Sequence, residues 1–194
     1  MKGILYMVPS NIKSKLLFLR DKNESAWSKG YDLFPKIIND HQFSKGVEVG
    51  CAFGGHMESI LIKTKVLYIT GVDPYKHYKD YKDPMNMSQE AFDMLYTLTL
   101  DRLSRFSTRF SLMRKESVEA SRSFDKIDFV YIDANHSYDG CIADIEAWLP
   151  TLRSNGIIGG HDYNSKSFPG VTKAVNSMFS SVNYEGKGCW WVKI

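Results

Sequence analysis

The segment Ile127-Asp-Phe-Val-Tyr-Ile132 constrains this chain more than any other: it is almost wholly apolar and bounded by acids. Such a run reads as a strand buried on both faces, the habit of a parallel sheet covered by helices. The surrounding sequence alternates in the same sense. Gly46-Val-Glu-Val-Gly50 is too short and too β-branched for a helix, and a helical stretch with Met57, Ile60, Leu61 and Ile62 follows it. Val66 to Val72 predicts a second strand, and Ser88 to Phe106 a long helix with Ser88 as its N-cap.

The second half repeats the pattern. Strands are expected at Phe110–Met113 and from Ile157, and helices over Trp27–Asp40, Ser117–Arg122, Cys141–Leu152 and Val171–Phe179. Asn155-Gly156 is expected to close the third of these as a C-terminal turn. Ser181–Tyr184 and Cys189–Ile194, split by Glu185-Gly-Lys-Gly188, predict a hairpin that adds an antiparallel strand at one edge. The fold class is therefore α/β: a Rossmann-like three-layer α/β/α sandwich with a mostly parallel seven-stranded sheet and an antiparallel C-terminal strand. One domain is expected over 1–194, with 1–45 a helical cap segment and 46–194 the core.

Composition narrows the partners. A formal charge of +3 over 194 residues gives no argument for a nucleic-acid or membrane partner. No apolar run approaches the ~18–20 residues that span a bilayer, and Ile4–Val8, stopped by Pro9, is shorter than a secretory core of ~7–15 residues. Cys51, Cys141 and Cys189 have neither metal nor redox spacing and fit a reducing compartment. The expectation is a cytoplasmic chain acting on a small molecule. Its aromatic-rich ends are candidate contacts of a homodimer.

In such a sheet, ligands sit outside the carboxyl ends of the strands, where strand order reverses. The first strand ends in Glu48-Val-Gly50-Cys51-Ala52-Phe-Gly54-Gly55, where glycines allow a sharp turn and the next helix points its positive end at an anion. The run is neither Gly-x-Gly-x-x-Gly nor a P-loop, so an amino-acid carboxylate suits it better than a pyrophosphate. Asp73, 23 residues beyond Gly50, is placed to accept from ribose hydroxyls. Asp133-Ala-Asn-His136-Ser-Tyr138 and Gly159-Gly-His161-Asp162-Tyr163 deliver two aspartates and two histidines to one rim. Aspartates with histidine suit a divalent cation, and histidine is the usual base near neutral pH. Tyr75 to Pro84 alternates aromatic and charged residues and is a candidate to line or cover an acceptor pocket. The stretch Ile12–Arg20 is a candidate cover for the site, a candidate subunit contact, or a packed terminal segment.

These motifs resemble class I S-adenosylmethionine-dependent methyltransferases over roughly Gly46 to Phe179. The paired Asp-x-x-His-x-Tyr and Gly-Gly-His-Asp-Tyr runs are similar to methyltransferase family 24, with the macrocin- and catechol-type O-methyltransferases. The resemblance implies that Glu48, Gly50, Cys51, Ala52, Gly54 and Gly55 wrap the methionine part of the cofactor. It implies Asp73 on the ribose, Ser117 near the adenine, and Asp133 beside both cofactor and acceptor. His136 or His161 would be the base, Tyr138 and Tyr163 would face the acceptor, and Asp133, Asp162 and His161 could hold Mg²⁺. His161 departs from the oxygen-bearing pairs of metal-dependent relatives, which leaves both a metal-assisted and a metal-free route open. The expected reaction is O-methylation of a small-molecule hydroxyl on a sugar or secondary metabolite. The rivals are an NAD-dependent oxidoreductase, a non-catalytic nucleoside-binding module and an RNA methyltransferase, the last disfavoured because the sequence shows no strong basic patch.

Overall fold

A computed structural model describes residues 9–25, 30–83 and 85–194. The expected apolar run at Ile4–Val8, and the start of the helix expected from Trp27, lie outside the described residues. The elements are α1 (Ser10–Ser25), α2 (Leu33–Asp40), β1 (Lys45–Val49), α3 (Gly55–Lys63), β2 (Tyr68–Val72), α4 (Gln89–Leu103), β3 (Phe110–Met113), α5 (Ser117–Ser121), β4 (Ile127–Ile132), α6 (Tyr138–Trp148), β5 (Leu152–Gly160), α7 (Pro169–Met178), β6 (Asn183–Glu185) and β7 (Cys189–Lys193). They build one seven-stranded sheet in the order β3-β2-β1-β4-β5-β7-β6. β7 pairs antiparallel with both β5 and β6, while the pairs from β3 through to β5 are all parallel.

Every residue of β4 is buried, so its alternate side chains feed two cores. Val130 and Ile132 join Val47, Val49, Ile145, Trp148, Val175 and Trp190 on one face. Phe129 and Tyr131 join Phe34, Ile37, Met57, Ile60 and Ile69 on the other. The one acid of the strand, Asp128, accepts from the backbone N–H groups of Ser44 (2.6 Å) and Lys45 (2.8 Å) and pairs with Arg153. It ties the foot of β4 to the start of β1. A third cluster docks α1 through Ile12, Leu16 and Leu19 onto Ala91, Leu95 and Leu98 of α4 and onto Tyr75 and Met87. Among the described residues, no helix is long and apolar enough to cross a membrane.

Ser88 caps α4 as expected, its hydroxyl accepting from Ala91 N at 3.3 Å. Most boundaries shift by a few residues, and two of the shifts have a clear physical cause. α6 stops at Trp148 because Pro150 lacks an N–H, and Leu149–Thr151 form a 3-10 turn instead. Asn155-Gly156 does not close that helix; it lies inside β5, where the register against β4 jumps from Ile127↔Leu152 to Phe129↔Ile157. Asn155 is left-handed there (φ 64°), the conformation that suits a turn, used here to carry a bulge.

Candidate active site

Strand order reverses between β1 and β4, and the crevice forms there. Its floor is bare backbone. Gly50 takes φ 86°, and a Cβ on it would lie 2.0 Å from the Asp133 carbonyl oxygen. Ala52 and Gly54 are also left-handed, at φ 44° and 69°, which bends the chain into the amino end of α3. Asp73 holds this turn in place. Its Oδ2 accepts from Ala52 N (3.0 Å) and its Oδ1 from Tyr75 N (2.8 Å). Burial raises the Asp73 pKa in spite of those bonds.

Two residues expected at the methionine end have buried side chains. Glu48 is 2% exposed and accepts from or donates to His56 Nδ1 at 3.1 Å, and the His56 ring stacks on Tyr131 at 4.0 Å. Burial raises the Glu48 pKa while His56 opposes it. The Cys51 thiol is buried and donates to the Glu48 carbonyl, so this residue offers only backbone to the turn, while Gly55 begins α3. Ser117 opens α5; its hydroxyl accepts from Trp148 Nε1 at 2.9 Å and bonds the Asp144 carboxyl.

The far rim gathers around His136. Its Nε2 lies 3.1 Å from Asp162 Oδ2 and 3.4 Å from Asp133 Oδ1, and its Nδ1 lies 3.3 Å from Asp83 Oδ2. Phe168 stacks on the ring with centroids 4.1 Å apart. A Cβ on Gly170 would come within 2.7 Å of the His136 carbonyl, so only glycine lets α7 approach this closely. Burial alone would lower the His136 pKa, but the bonds to Asp133, Asp162 and Asp83 overcome it and push it up to about 12. Burial would raise Asp162, yet His136 and His161 hold its carboxyl well below the usual range. Asp162 is itself left-handed (φ 58°), a conformation that costs an L-residue roughly 1–2 kcal/mol and here turns its carboxylate toward the histidines.

Among the described residues, the side chains that converge well enough to hold a metal are Asp133, His136 and Asp162. His161, expected as the third of that set, stands aside. Its Nδ1 reaches Asp162 Oδ2 at 3.5 Å while its ring also bonds the Lys187 carbonyl. Tyr138 and Tyr163 turn toward α7, bonding Ser177 Oγ (3.5 Å) and Asn176 Oδ1 (2.7 Å). Asp83 and Phe168 carried no signal in the sequence as individual residues. Asp83 lay within the aromatic and charged run already singled out, whereas Phe168 sits in a loop with nothing to mark it.

A mostly parallel sheet with this strand order and an antiparallel β7, a glycine turn after β1, an acid after β2 and a charged rim after β4 and β5 is the arrangement of a class I S-adenosylmethionine-dependent methyltransferase. The model of methyltransferase domain family 24 matches residues 47–163, and the chain belongs to that family. Solved structures agree on the fold. The calicheamicin methyltransferase CalS11 superposes with a TM-score of 0.66 at 16% identity, covering 99% of this chain and 89% of that one. The Podospora anserina methyltransferase PaMTH1, bound to S-adenosylhomocysteine, gives 0.64 at 13%, covering 95% and 87%. An O-methyltransferase from Bacillus cereus, also with S-adenosylhomocysteine, gives 0.61 at 12%, covering 96% and 91%. No curated protein sequence matches this chain.

Proposed function

We propose that this enzyme methylates a hydroxyl of a small molecule, a sugar or secondary metabolite, at the rim formed by Asp133, His136 and Asp162. The observation that supports the reading is the close approach of the Gly50 and Asp133 backbones, which brings the turn after β1 against that rim. CalS11, described as a TDP-rhamnose 3'-O-methyltransferase, supports a sugar-like acceptor. S-adenosylmethionine supplies a methyl group, which the acceptor oxygen takes as the carbon–sulfur bond breaks and its electron pair stays on sulfur.

The chain's residues do the rest. The Gly50–Gly55 turn and the amino end of α3 receive the cofactor's carboxylate, and Asp73 holds its ribose. The hydroxyl's proton passes to the Asp133–His136–Asp162 group. While His136 bonds carboxylates through both nitrogens, it acts as a cation that orients Asp133 and Asp162. Two carboxylates and an imidazole whose ligand atoms lie within 4.8 Å of one another also fit a divalent cation, with the nitrogen favouring Mn²⁺ or Zn²⁺ over Mg²⁺. Such an ion would supply charge that lowers the pKa of the acceptor hydroxyl.

Calorimetric titration with S-adenosylhomocysteine tests the cofactor. Micromolar binding is expected, weakened roughly 10–100-fold in Asp73→Ala through loss of hydrogen bonds to a charged group. A folded protein that binds neither S-adenosylmethionine nor S-adenosylhomocysteine would sink the proposal.

A further inference from the structure

The described residues 74–83 and 85–88, between β2 and α4, form a strap with its own internal wiring. Asn86 Nδ2 donates to the carbonyls of Tyr78 (2.7 Å) and Tyr81 (2.6 Å), and Asn86 Oδ1 accepts from Tyr78 N at 3.1 Å. The root of the strap is fixed at the cofactor side, where Tyr75 OH donates to the Ala52 carbonyl at 3.1 Å. Its middle leans on Glu116, which accepts from Tyr78 OH (2.6 Å) and Lys76 Nζ (3.0 Å).

Its far part grips His136 three times, and one of these contacts sets Tyr81 OH 3.5 Å from Nδ1 of the ring, where it can accept the same proton as Asp83. The backbone N–H of His136 donates to Tyr81 OH at 3.2 Å. The side chain of Asp83, 7% exposed, places Oδ2 3.3 Å from Nδ1 of the ring while its Oδ1 accepts from Met85 N at 2.7 Å. Asp83 is therefore locked on both oxygens, one to its own loop and one to the histidine. Phe168 fixes the plane of the ring from one face. The other nitrogen, Nε2, is the one turned toward Asp133 and Asp162.

We infer that Asp83 is a positioning residue, which fixes His136 so that Nε2 is the nitrogen the site offers to a divalent cation beside Asp133 and Asp162. A carboxylate on Nδ1–H assigns the proton to that nitrogen, directs the lone pair of the neutral ring to Nε2, and makes the ring more basic toward a ligand. The inference rests on the methyl-transfer reading only for what the crevice does with the cation. Replacing Asp83 by asparagine would reverse the polarity of the contact. With Oδ1 kept on Met85 N, the amide would donate to Nδ1 and drive the proton to Nε2, where it blocks the ligand position.

The test uses the full chain and Mn²⁺ as the probe. Calorimetry should show Mn²⁺ binding by the wild type, weakened about 10–100-fold in both Asp83→Asn and Asp83→Ala. S-adenosylhomocysteine binding should change less than about twofold, since Asp83 lies outside the cofactor turn. In parallel, imidazole nitrogen NMR, with the His136 signal assigned by its loss in His136→Gln, should show that ring's nitrogen shifts moved in the Asp83 variants while the other histidines stay in place. Mn²⁺ that does not bind the wild type, or that binds both variants equally well, overturns the inference. So does an unmoved His136 signal in a folded variant. Loss of S-adenosylhomocysteine binding by the wild type would instead overturn the cofactor reading and leave the Mn²⁺ and NMR results to judge Asp83.

Discussion

A single methyl group at Gly50 would enter the backbone of the loop after β4, since its position falls 2.0 Å from the Asp133 carbonyl oxygen and the residue already holds φ 86°. Gly50→Ala is expected to cost about 2–3 kcal/mol of stability in urea unfolding and to abolish detectable S-adenosylhomocysteine binding. Retained binding at wild-type affinity would show that β1 and β4 can separate without harm. The sharp turn at Gly50 and the placement of Asp73 at the end of β2 were legible in the sequence, because glycines after a strand announce a turn and the strand ends are marked by their apolar runs, whereas the approach of Gly50 to Asp133 is a tertiary constraint. The partition between the two histidines was not legible. Adjacent motifs deliver both to one rim, and only the left-handed turn at Asp162 and the reach of Asp83 decide that His136 stands in the centre. Loop direction of that kind is set by tertiary packing, not by spacing.

Among the elements, α6 carries an unneutralised acid. Asp144 is 5% exposed, and burial, only partly offset by its bond to Ser117, raises its pKa to about 6. The folded state therefore binds more protons than the unfolded chain between about pH 4 and 6, so this residue's contribution is most favourable below that window and is lost as pH rises through about 6. Asp144→Asn should raise stability near pH 7.5 by up to ~3 kcal/mol and by much less near pH 4; a wild-type-like pH dependence would acquit Asp144. Asp128, at the foot of β4, has the opposite sign. Burial would raise it, but Arg153 and the Ser44 and Lys45 amides hold it low, so its stabilisation is present above its unfolded pKa and fades on acidification through the lower folded value. Asp128→Ala is expected to cost about 2–4 kcal/mol at neutral pH, read from the urea midpoint. Strand identities were legible because buried parallel strands are continuous apolar runs. The β5 bulge was not, because Asn-Gly has the same left-handed preference in a helix cap as in a strand irregularity.

At the scale of the whole molecule, two cores share one sheet, and α1 adds a third cluster against α4. We expect one cooperative unit: fluorescence of the buried Trp148 and Trp190 and far-ultraviolet dichroism should follow a single urea transition. Two separate transitions would mark α1 and its partners as an independent unit. Leu16→Ala, at 1% exposure in the α1 contact, should lower the common midpoint by the equivalent of about 2–5 kcal/mol instead of creating a second step. The reversal of β7 has a further consequence. Because this strand runs against β5, the turn that precedes it comes to the same rim as the carboxyl ends of the parallel strands. There the Lys187 carbonyl meets His161 and the Gly188 carbonyl accepts from Tyr163 N at 3.0 Å. The wall behind the histidines is thus built by a stretch that shares no residue with the cofactor turn. Changing its length or chemistry is therefore expected to alter what the rim admits while leaving the turn after β1 in place.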